Sequence, residues 1–389
     1  MQINNNYQKN ANISLIAKML WKKPGISRVD ISRELDLYRS TVSNIINSLI
    51  DNGVVLEEKI GDALPQGGRK PIYLGLNPRF GCSGGIEMQP DCYRAVLVSI
   101  TGDVLESFDG PFPDGALEDA IDTVCEQLFS RAGVMGIPLL GICVGMPGII
   151  DSEGSRIIRS DPFGIANAPF VSRFSKKRKI PVLVENDANC LAWLELARNR
   201  EESLSDFMCL TAEYHDRDAL TSSRPGMSVG LGLALSGSVY SGAGYAAGEF
   251  VSVSWRPGKA GQSGISDELM KNIEKDEQAF SVWAQDLFSS LVPVVSVFNP
   301  QAVFAHGELA RQKEKVLRII EERVPQFASL LETVGAGLKF GDGELHSLAE
   351  GAALMFFLLL FSVPGGSSAS SSRGIDWDAV FEIASRPAE

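Results

Sequence analysis

The chain has 389 residues, 44% hydrophobic and 22% charged, with 38 glycines, 19 prolines and a formal charge of -12. At roughly 150 residues per domain that length suggests two or three domains with ample cores, and the apolar fraction excludes a wholly disordered chain. No Gly-X-Y or heptad period points to a fibre, and the longest apolar run, Ala352 to Val363, is too short for a bilayer, which needs about 20 residues. The start, Met1-Gln2-Ile3-Asn4-Asn5-Asn6, lacks the charged and apolar parts of a signal peptide. A soluble cytoplasmic protein with no membrane partner is the expectation.

Divided at residue 80, the charge becomes more informative. Residues 1–80 carry 11 Lys and Arg against 7 Asp and Glu, whereas residues 81–389 carry 25 against 41. A basic head on an acidic body is the pattern of a nucleic-acid-binding segment attached to an unrelated domain, although four net charges also fall within ordinary fluctuation. The six cysteines are scattered without a CxxC pair, and His215, His306 and His346 lie far apart, so no structural zinc is expected.

Residues 11–60 read as three short helices. Ile13, Ile16, Ala17 and Leu20 share one face of the first, which Pro24-Gly25 stops. Ser27 before Asp30 predicts a capped helix through Leu35. Val42, Ile45, Ile46 and Leu49 line a third helix that ends at Asn52-Gly53. This is the outline of a helix-turn-helix. Tyr38 stands where a Ser or Thr cap is expected, so Asp36 or the loop must help the third helix start.

The polar face of that helix carries Arg39, Ser40, Thr41, Ser43, Asn44 and Asn47, with no acid until Asp51. Forked or short hydrogen-bonding groups of this kind suit base edges and phosphates in a major groove. Val54 to Glu58 and Lys70 to Leu74 then read as a two-stranded wing. Arg69 and Lys70 at its tip would meet phosphate or the minor groove. The alternative is a protein-interaction module with a solvated face, on which both signs of charge would normally mix.

From Gly81 short apolar runs alternate with helical patterns, which argues for an α/β body. Tyr93 to Ile100 alternates as a strand that Thr101-Gly102-Asp103 turns back, Leu117 to Ala132 reads as a helix, and Leu139 to Gly145 as a strand. Pro181 to Glu185 predicts another strand, running through Asn186-Asp187-Ala188-Asn189 into a helix that ends at Arg198. A carboxylate at such a strand-to-helix junction is well placed to accept from sugar hydroxyls, and Asn186 offers a donor and an acceptor. Helix capping favours the same residue types. Residues 364–372 form a flexible linker by composition, Ile375 to Ala384 a short helix that docks or frays, and Glu213 to Arg224 a mobile surface loop.

Ser40-Thr41-Val42-Ser43, Leu49 to Gly53 and Gly67-Gly68-Arg69-Lys70-Pro71, followed by Gly141 to Asp151, Pro181 to Asn189 and Gly242 to Glu249, together resemble the regulators of the ROK family (repressors, open reading frames and kinases). The resemblance runs over roughly residues 10–360. It implies a winged helix-turn-helix over residues 1–80, a duplicated actin-like, ribonuclease-H-like domain in two lobes over 81–363, and a tail over 364–389. It also implies sugar contacts at Asn186, Asp187 and Glu249, Asp187 holding the place of the kinases' general base, here vestigial.

Departures from the kinase pattern accompany it. Gly85 to Asp91 stands for the D-x-G-G-T turn, Gly226 to Gly230 for G-T-G-x-G, and Phe304 to Glu308 for the third glycine-rich turn. All three have lost small residues whose N–H groups cradle phosphate. Ser252 stands where most relatives have the zinc-binding His, and residues 253–290 hold no cysteine. Neither ATP nor zinc is therefore expected as a cofactor.

The expected function is a transcriptional repressor of carbohydrate genes, acting as a homodimer or homotetramer on a pseudo-palindromic operator, with a monosaccharide or sugar phosphate as effector. An ATP-dependent sugar kinase and a regulator controlled by a protein partner are the alternatives. If Arg69 and Lys70 touch phosphate, replacing both with Ala flattens the salt dependence of DNA binding, the logarithmic slope falling by about one to two. A titration at three or more salt concentrations reads this directly.

Overall fold

The computed structural model describes residues 2–60, 72–215, 226–258, 261–363 and 375–386, with side chains throughout except at 2–6, 59 and 60. Helix α1 (Gln2–Lys22) buries Ile13, Ile16, Ala17 and Leu20 almost completely. After the short strand β1 (Ile26–Ser27), helix α2 (Arg28–Glu34) starts on Ser27, whose Oγ accepts the Asp30 N–H at 3.3 Å and donates to Asp30 Oδ2 at 2.6 Å. Helix α3 (Arg39–Asp51) buries Val42, Ile46 and Leu49. Its N-cap Tyr38 makes no side-chain bond, and Asp36, at φ 50, does not supply one either. The helix starts on backbone alone, Val42 N–H donating to Tyr38 O at 3.1 Å.

Strands β2 (Val55–Ile60) and β3 (Ile72–Leu76) complete the head in an antiparallel sheet ordered β1-β3-β2. The wing tip with Arg69 and Lys70 lies outside the described residues.

The body is a duplication. In the first lobe β4 (Cys82–Met88), β5 (Cys92–Ser99) and β6 (Val104–Pro111) form an antiparallel meander, followed by helix α4 (Leu117–Met135) and strand β7 (Leu139–Met146), which runs parallel to β4. A small antiparallel sheet of β8 (Ile149–Asp151), β9 (Arg156–Ser160) and β10 (Ile165–Pro169) interrupts the chain. Helix α5 (Arg173–Arg178), strand β11 (Val182–Asn186) and helix α6 (Asp187–Arg198) close the lobe. Its sheet order is β11-β7-β4-β5-β6.

The second lobe repeats this plan. Strands β12 (Phe207–His215), β13 (Gly226–Leu235) and β14 (Ser238–Val239) form the meander, and helices α7 (Asp267–Asn272) and α8 (Glu277–Phe298) follow. Strand β15 (Ala302–Gly307), helices α9 (Glu308–Arg311), α10 (Lys313–Arg323) and α11 (Pro325–Val334), strand β16 (Gly337–Phe340) and helix α12 (Ser347–Leu360) complete it. The order β14-β13-β12-β15-β16 is that of the first lobe read from the other edge, with β12 and β15 parallel as β4 and β7 are.

The lobes exchange their last helices. Helix α12 leaves the second sheet and packs on β4 and β7, while α6 leaves the first and packs on β12 and β13. The two helices touch at Gly351, where an added Cβ would lie 2.0 Å from Cys190 O. Helix α8 is apolar and long enough to cross a membrane by composition, yet Phe280, Trp283, Leu287, Phe288, Leu291 and Val295 fill the second lobe's core.

The head and first lobe share one apolar core, which runs from Ile13 through the first sheet to Ile383. That core also takes one face of the second sheet, through Phe207, Cys209, Ala234, Val239, Ala302 and Phe304, while the other face packs a second core with α8, α10 and α11. The tail helix α13 (Trp377–Ala384) does not fray. Trp377, 1% exposed, stacks on Phe361 at 6.3 Å, and Phe361 in turn meets Trp21 of α1 at 5.6 Å. Trp377 Nε1 donates to Ser14 Oγ at 3.1 Å, and Ser14 Oγ donates to Leu360 O at 2.9 Å. Trp21 Nε1 donates to Thr101 O at 3.1 Å, and the Arg200 guanidinium lies over its ring. Residue 80 therefore divides fold units without dividing the core. Trp377→Ala removes the ring on which these contacts converge and is expected to cost about 3–5 kcal/mol. Thermal unfolding measures the loss, and hydrogen exchange in α1 should rise with it.

Candidate functional site

The head presents Arg39, Ser40, Asn44 and Asn47 as exposed residues on α3, with Thr41 and Ser43 partly covered beside them. No acid lies on that helix before Asp51. Asn47 is not free in solution, however. Arg28, the first residue of α2, donates from Nη1 to Asn47 Oδ1 at 2.9 Å and from Nη2 to Glu57 Oε1 at 3.1 Å. The periodicity of either helix gives no signal for Arg28. Only its place directly after the Ser27 cap, facing the third helix across the turn, marks it.

In the body, Asn186 is the N-cap of α6. Its Oδ1 accepts the Asn189 N–H at 3.1 Å and its Nδ2 donates to Gly148 O at 2.9 Å. Capping, the plainer of the two readings of this residue, thus describes its oxygen, and the clamp on Gly148 ties β11 to the Pro147-Gly148 turn. Beneath it Glu185, fully buried, accepts at one oxygen from Ser152 Oγ, Asn186 N–H and Asn189 Nδ2 at 2.9 to 3.1 Å. A desolvated carboxylate with three donors is a rigid anchor for the whole junction. Glu185 and Asn189 are supports that sequence reasoning placed in the motif without a role.

Asp187 opens α6 and spends one oxygen on the Ala188 N–H at 2.8 Å. Burial pushes its carboxyl up to about 6, opposed by that N–H and assisted by the negative fields of Glu87 and Glu249. Glu249 follows Gly248, which is held at φ +92 with its Cα so close to β13 that a Cβ would lie 1.8 Å from Leu231 O. Leu231 N–H donates to Gly248 O at 3.2 Å, which sets Glu249 opposite Gly230. Burial raises the Glu249 carboxyl, Arg159 lowers it, and Asp161 raises it again. Arg159 itself forks onto Asp161 at 2.8 and 2.6 Å. Asp187 and Glu249 are therefore brought into one electrostatic neighbourhood, and Glu87 and Arg159 join them.

Of the stretch Gly85 to Asp91, Gly85 to Met88 is the end of strand β4 and Gln89 to Asp91 the hairpin turn, which Gln89 N–H closes onto Cys92 O at 2.9 Å. Buried Glu87 pairs with Arg94 at 2.6 Å and accepts from Gln89 Nε2 at 3.2 Å. Gly226 to Gly230 is likewise extended in β13, paired with Thr211 to His215. Glu213, Tyr214 and His215 thus belong to strand β12 and not to the surface loop expected there, because β13 supplies their ladder partners; residues 216–225 lie outside the described residues. At the third position Glu213 and Glu308 both bind Arg311, each at 2.8 Å. Glu87 and Glu308 lie within two of these stretches, and Glu213 pairs with Ser228 of the other.

Ser252 is buried in a hydroxyl network, its Oγ 2.8 Å from Ser254 Oγ and its N–H on Gln262 O at 2.8 Å. This donor set has neither thiolate nor imidazole and does not fit zinc. Among the described residues no cluster of three His, Cys, Asp or Glu is arranged for a metal. The six cysteines are free thiols, five of them buried.

The raised Asp187 carboxyl carries a pH signature. Its folded value lies above the ordinary 3.8, so ionising it costs stability, a cost that develops as pH rises from about 4 and is complete above about 6. Asp187→Asn is therefore expected to gain stability relative to the parent only as pH rises through this window, on the order of 1 kcal/mol because the residue is only partly buried. Urea melts at pH 4 and pH 7 read the difference.

Residues 83–251 match the model of the ROK family, and residues 8–55 match that of a winged helix-turn-helix DNA-binding domain. A xylose repressor of Caldicellulosiruptor bescii is 29% identical over 63% of this chain and 59% of its own length. The xylose repressor of Bacillus subtilis is 26% identical over 82% of this chain and 87% of its own. Among solved structures, a ROK family transcriptional regulator described as a homologue of the Escherichia coli MLC protein superposes with a TM-score of 0.73 at 17% identity, covering 97% of this chain and all of its own. The chain thus carries a ROK family domain, and an N-terminal winged helix-turn-helix precedes it.

Proposed function

We propose that this chain is a sequence-specific DNA-binding repressor of carbohydrate genes whose kinase-like body serves as a non-catalytic effector module. The observation that carries this reading is the acid-free exposed face of α3 on a head whose core is continuous with the first lobe. The aligned xylose repressors agree with it. Arg39, Ser40, Thr41, Ser43, Asn44 and Asn47 enter the major groove, and the Arg69/Lys70 wing meets the backbone. Two such heads on a homodimer require a pseudo-palindromic operator, since protein symmetry is mirrored in the site. The protein acts in the cytoplasm, where its free thiols stay reduced.

The effector is a neutral monosaccharide. Asp187 and Glu249 offer acceptors to its hydroxyls, with Asn186 holding the junction, while the carboxylates of Glu87, Glu213 and Glu308 repel a sugar phosphate and the phosphates of ATP. No cofactor is required. A sugar held between Asp187 at the start of α6 and Glu249 beside β13 shifts the second lobe against the first lobe and the head. The two arrangements then differ in sugar affinity, which is what a population shift needs.

A titration against genomic fragments is expected to show sequence preference at moderate salt, and its absence refutes the repressor reading. In a thermal-shift screen a monosaccharide at about one hundred times its Kd should stabilise by about 2.7 kcal/mol. Its phosphate ester should not stabilise. A shift with no sugar favours control by a protein partner, and hexose phosphorylation that is lost in Asp187→Asn would overturn the non-catalytic reading.

A further inference from the structure

The contact between Arg28 and Asn47 crosses from α2 to α3, and Arg28 also reaches Glu57 on strand β2. A guanidinium has donors and no acceptor, so the amide atom of Asn47 that faces it at 2.9 Å must be the oxygen. The Asn47 amide is therefore committed. Its Oδ1 faces Arg28, and both hydrogens of Nδ2 are left for whatever meets the exposed face of α3. Glu57, 3.1 Å from the other guanidinium nitrogen, offsets the charge of Arg28 within the head. An arginine so neutralised and turned towards its neighbours is poorly suited to act as an independent phosphate clamp.

Resting on the DNA-reading function proposed above, we infer that Arg28 is a positioning residue that fixes the Asn47 amide, so that Asn47 reads guanine and not adenine. Asparagine recognises adenine by donating to N7 and accepting from N6–H₂ with the same amide. With Oδ1 held against Arg28 by one of its two lone pairs, the amide cannot turn that oxygen to face N6–H₂ while Nδ2 donates to N7 without giving up the Arg28 contact. Guanine presents N7 and O6, both acceptors, to the edge of the amide that carries its two donors. The selection comes from a residue that touches no base: Arg28 acts through the orientation of its partner.

The test uses the full-length protein. Binding-site selection with the parent chain defines the operator, and a panel of single base-pair changes then maps each variant. Asn47→Ala should relax one base pair in each half-site, and that pair should be G·C, with a loss of discrimination of about tenfold. Arg28→Met, which keeps a long apolar stem, should relax the same pair and leave the salt slope unchanged. The double variant should do no more than either single one, because the two side chains act as a unit. Asn47→Asp keeps an oxygen towards Arg28 while removing both donors, so it should retain the fold and lose the guanine preference.

An A·T pair at the position that Asn47→Ala relaxes overturns the inference. So does an Arg28→Met variant that binds all sequences more weakly with a smaller salt slope, which is the behaviour of a phosphate contact. Absence of any preference in the parent chain would instead defeat the DNA-reading function itself, so the two failures are distinct.

Discussion

The hydroxyl of Ser14 accepts from Trp377 and donates to Leu360, and this bridge sits where three distant parts of the chain meet. Helix α1 belongs to the head, Leu360 ends the helix that the second lobe lends to the first, and Trp377 comes from the tail. Around the bridge Trp21, Phe361, Trp377 and Phe381 form a continuous aromatic stack. A buried serine that spends its one donor on Leu360 and accepts from Trp377 fixes both partners relative to α1. The head is consequently a part of the first lobe in packing, although it is a separate unit in topology.

The core of the head and first lobe also takes one face of the second sheet, the other face of that sheet has a core of its own, and the exchanged helices α6 and α12 meet at the Gly351 contact. The cleft residues fall on both lobes. Asp187 stands at the head of α6, Glu87 on the first sheet, and Glu249 on a loop stitched to the second. Burial raises the carboxyls of Asp187, Glu87 and Glu249, and neighbouring acids add to it: Glu87 and Glu249 at Asp187, Glu213 at Glu87 and Asp161 at Glu249.

Legibility in the sequence followed the range of the interaction. Helix α6 was bounded correctly because its cap and its first turn lie within four residues, Asn186 to Asn189, and the winged helix-turn-helix followed from local apolar spacing. Of the three stretches read as turns, Gly226 to Gly230 is extended in β13, whereas Gly85 to Asp91 includes the β4–β5 hairpin turn and Phe304 to Glu308 the bend at Gly307. Glu213 to His215 looks like the start of a polar loop, and only its ladder with β13, across the undescribed residues 216–225, makes it strand. The tail posed a similar problem, since nothing near Trp377 in the chain shows that its partner is Ser14. Arg28 was missed for the same reason, its partners Asn47 and Glu57 lying on two other elements. Helix α1 begins earlier than its apolar pattern indicated because the stripe defines only the buried face, and Lys9 and Asn10 reach the tail at Asp378 and Asp376.

The union of head and first lobe is the premise on which the coupling between cleft and DNA depends, and an intramolecular distance tests it most directly. Tyr38 at the start of the recognition helix is 85% exposed and Val134 on α4 is 88% exposed, so both accept spin labels in a chain whose half-buried Cys92 has been replaced. Pulsed dipolar spectroscopy should return one narrow distance, unchanged by saturating monosaccharide or by operator DNA. A broad distribution, or a distance that moves with either ligand, would show that the head pivots on the first lobe and would contradict the rigid seam.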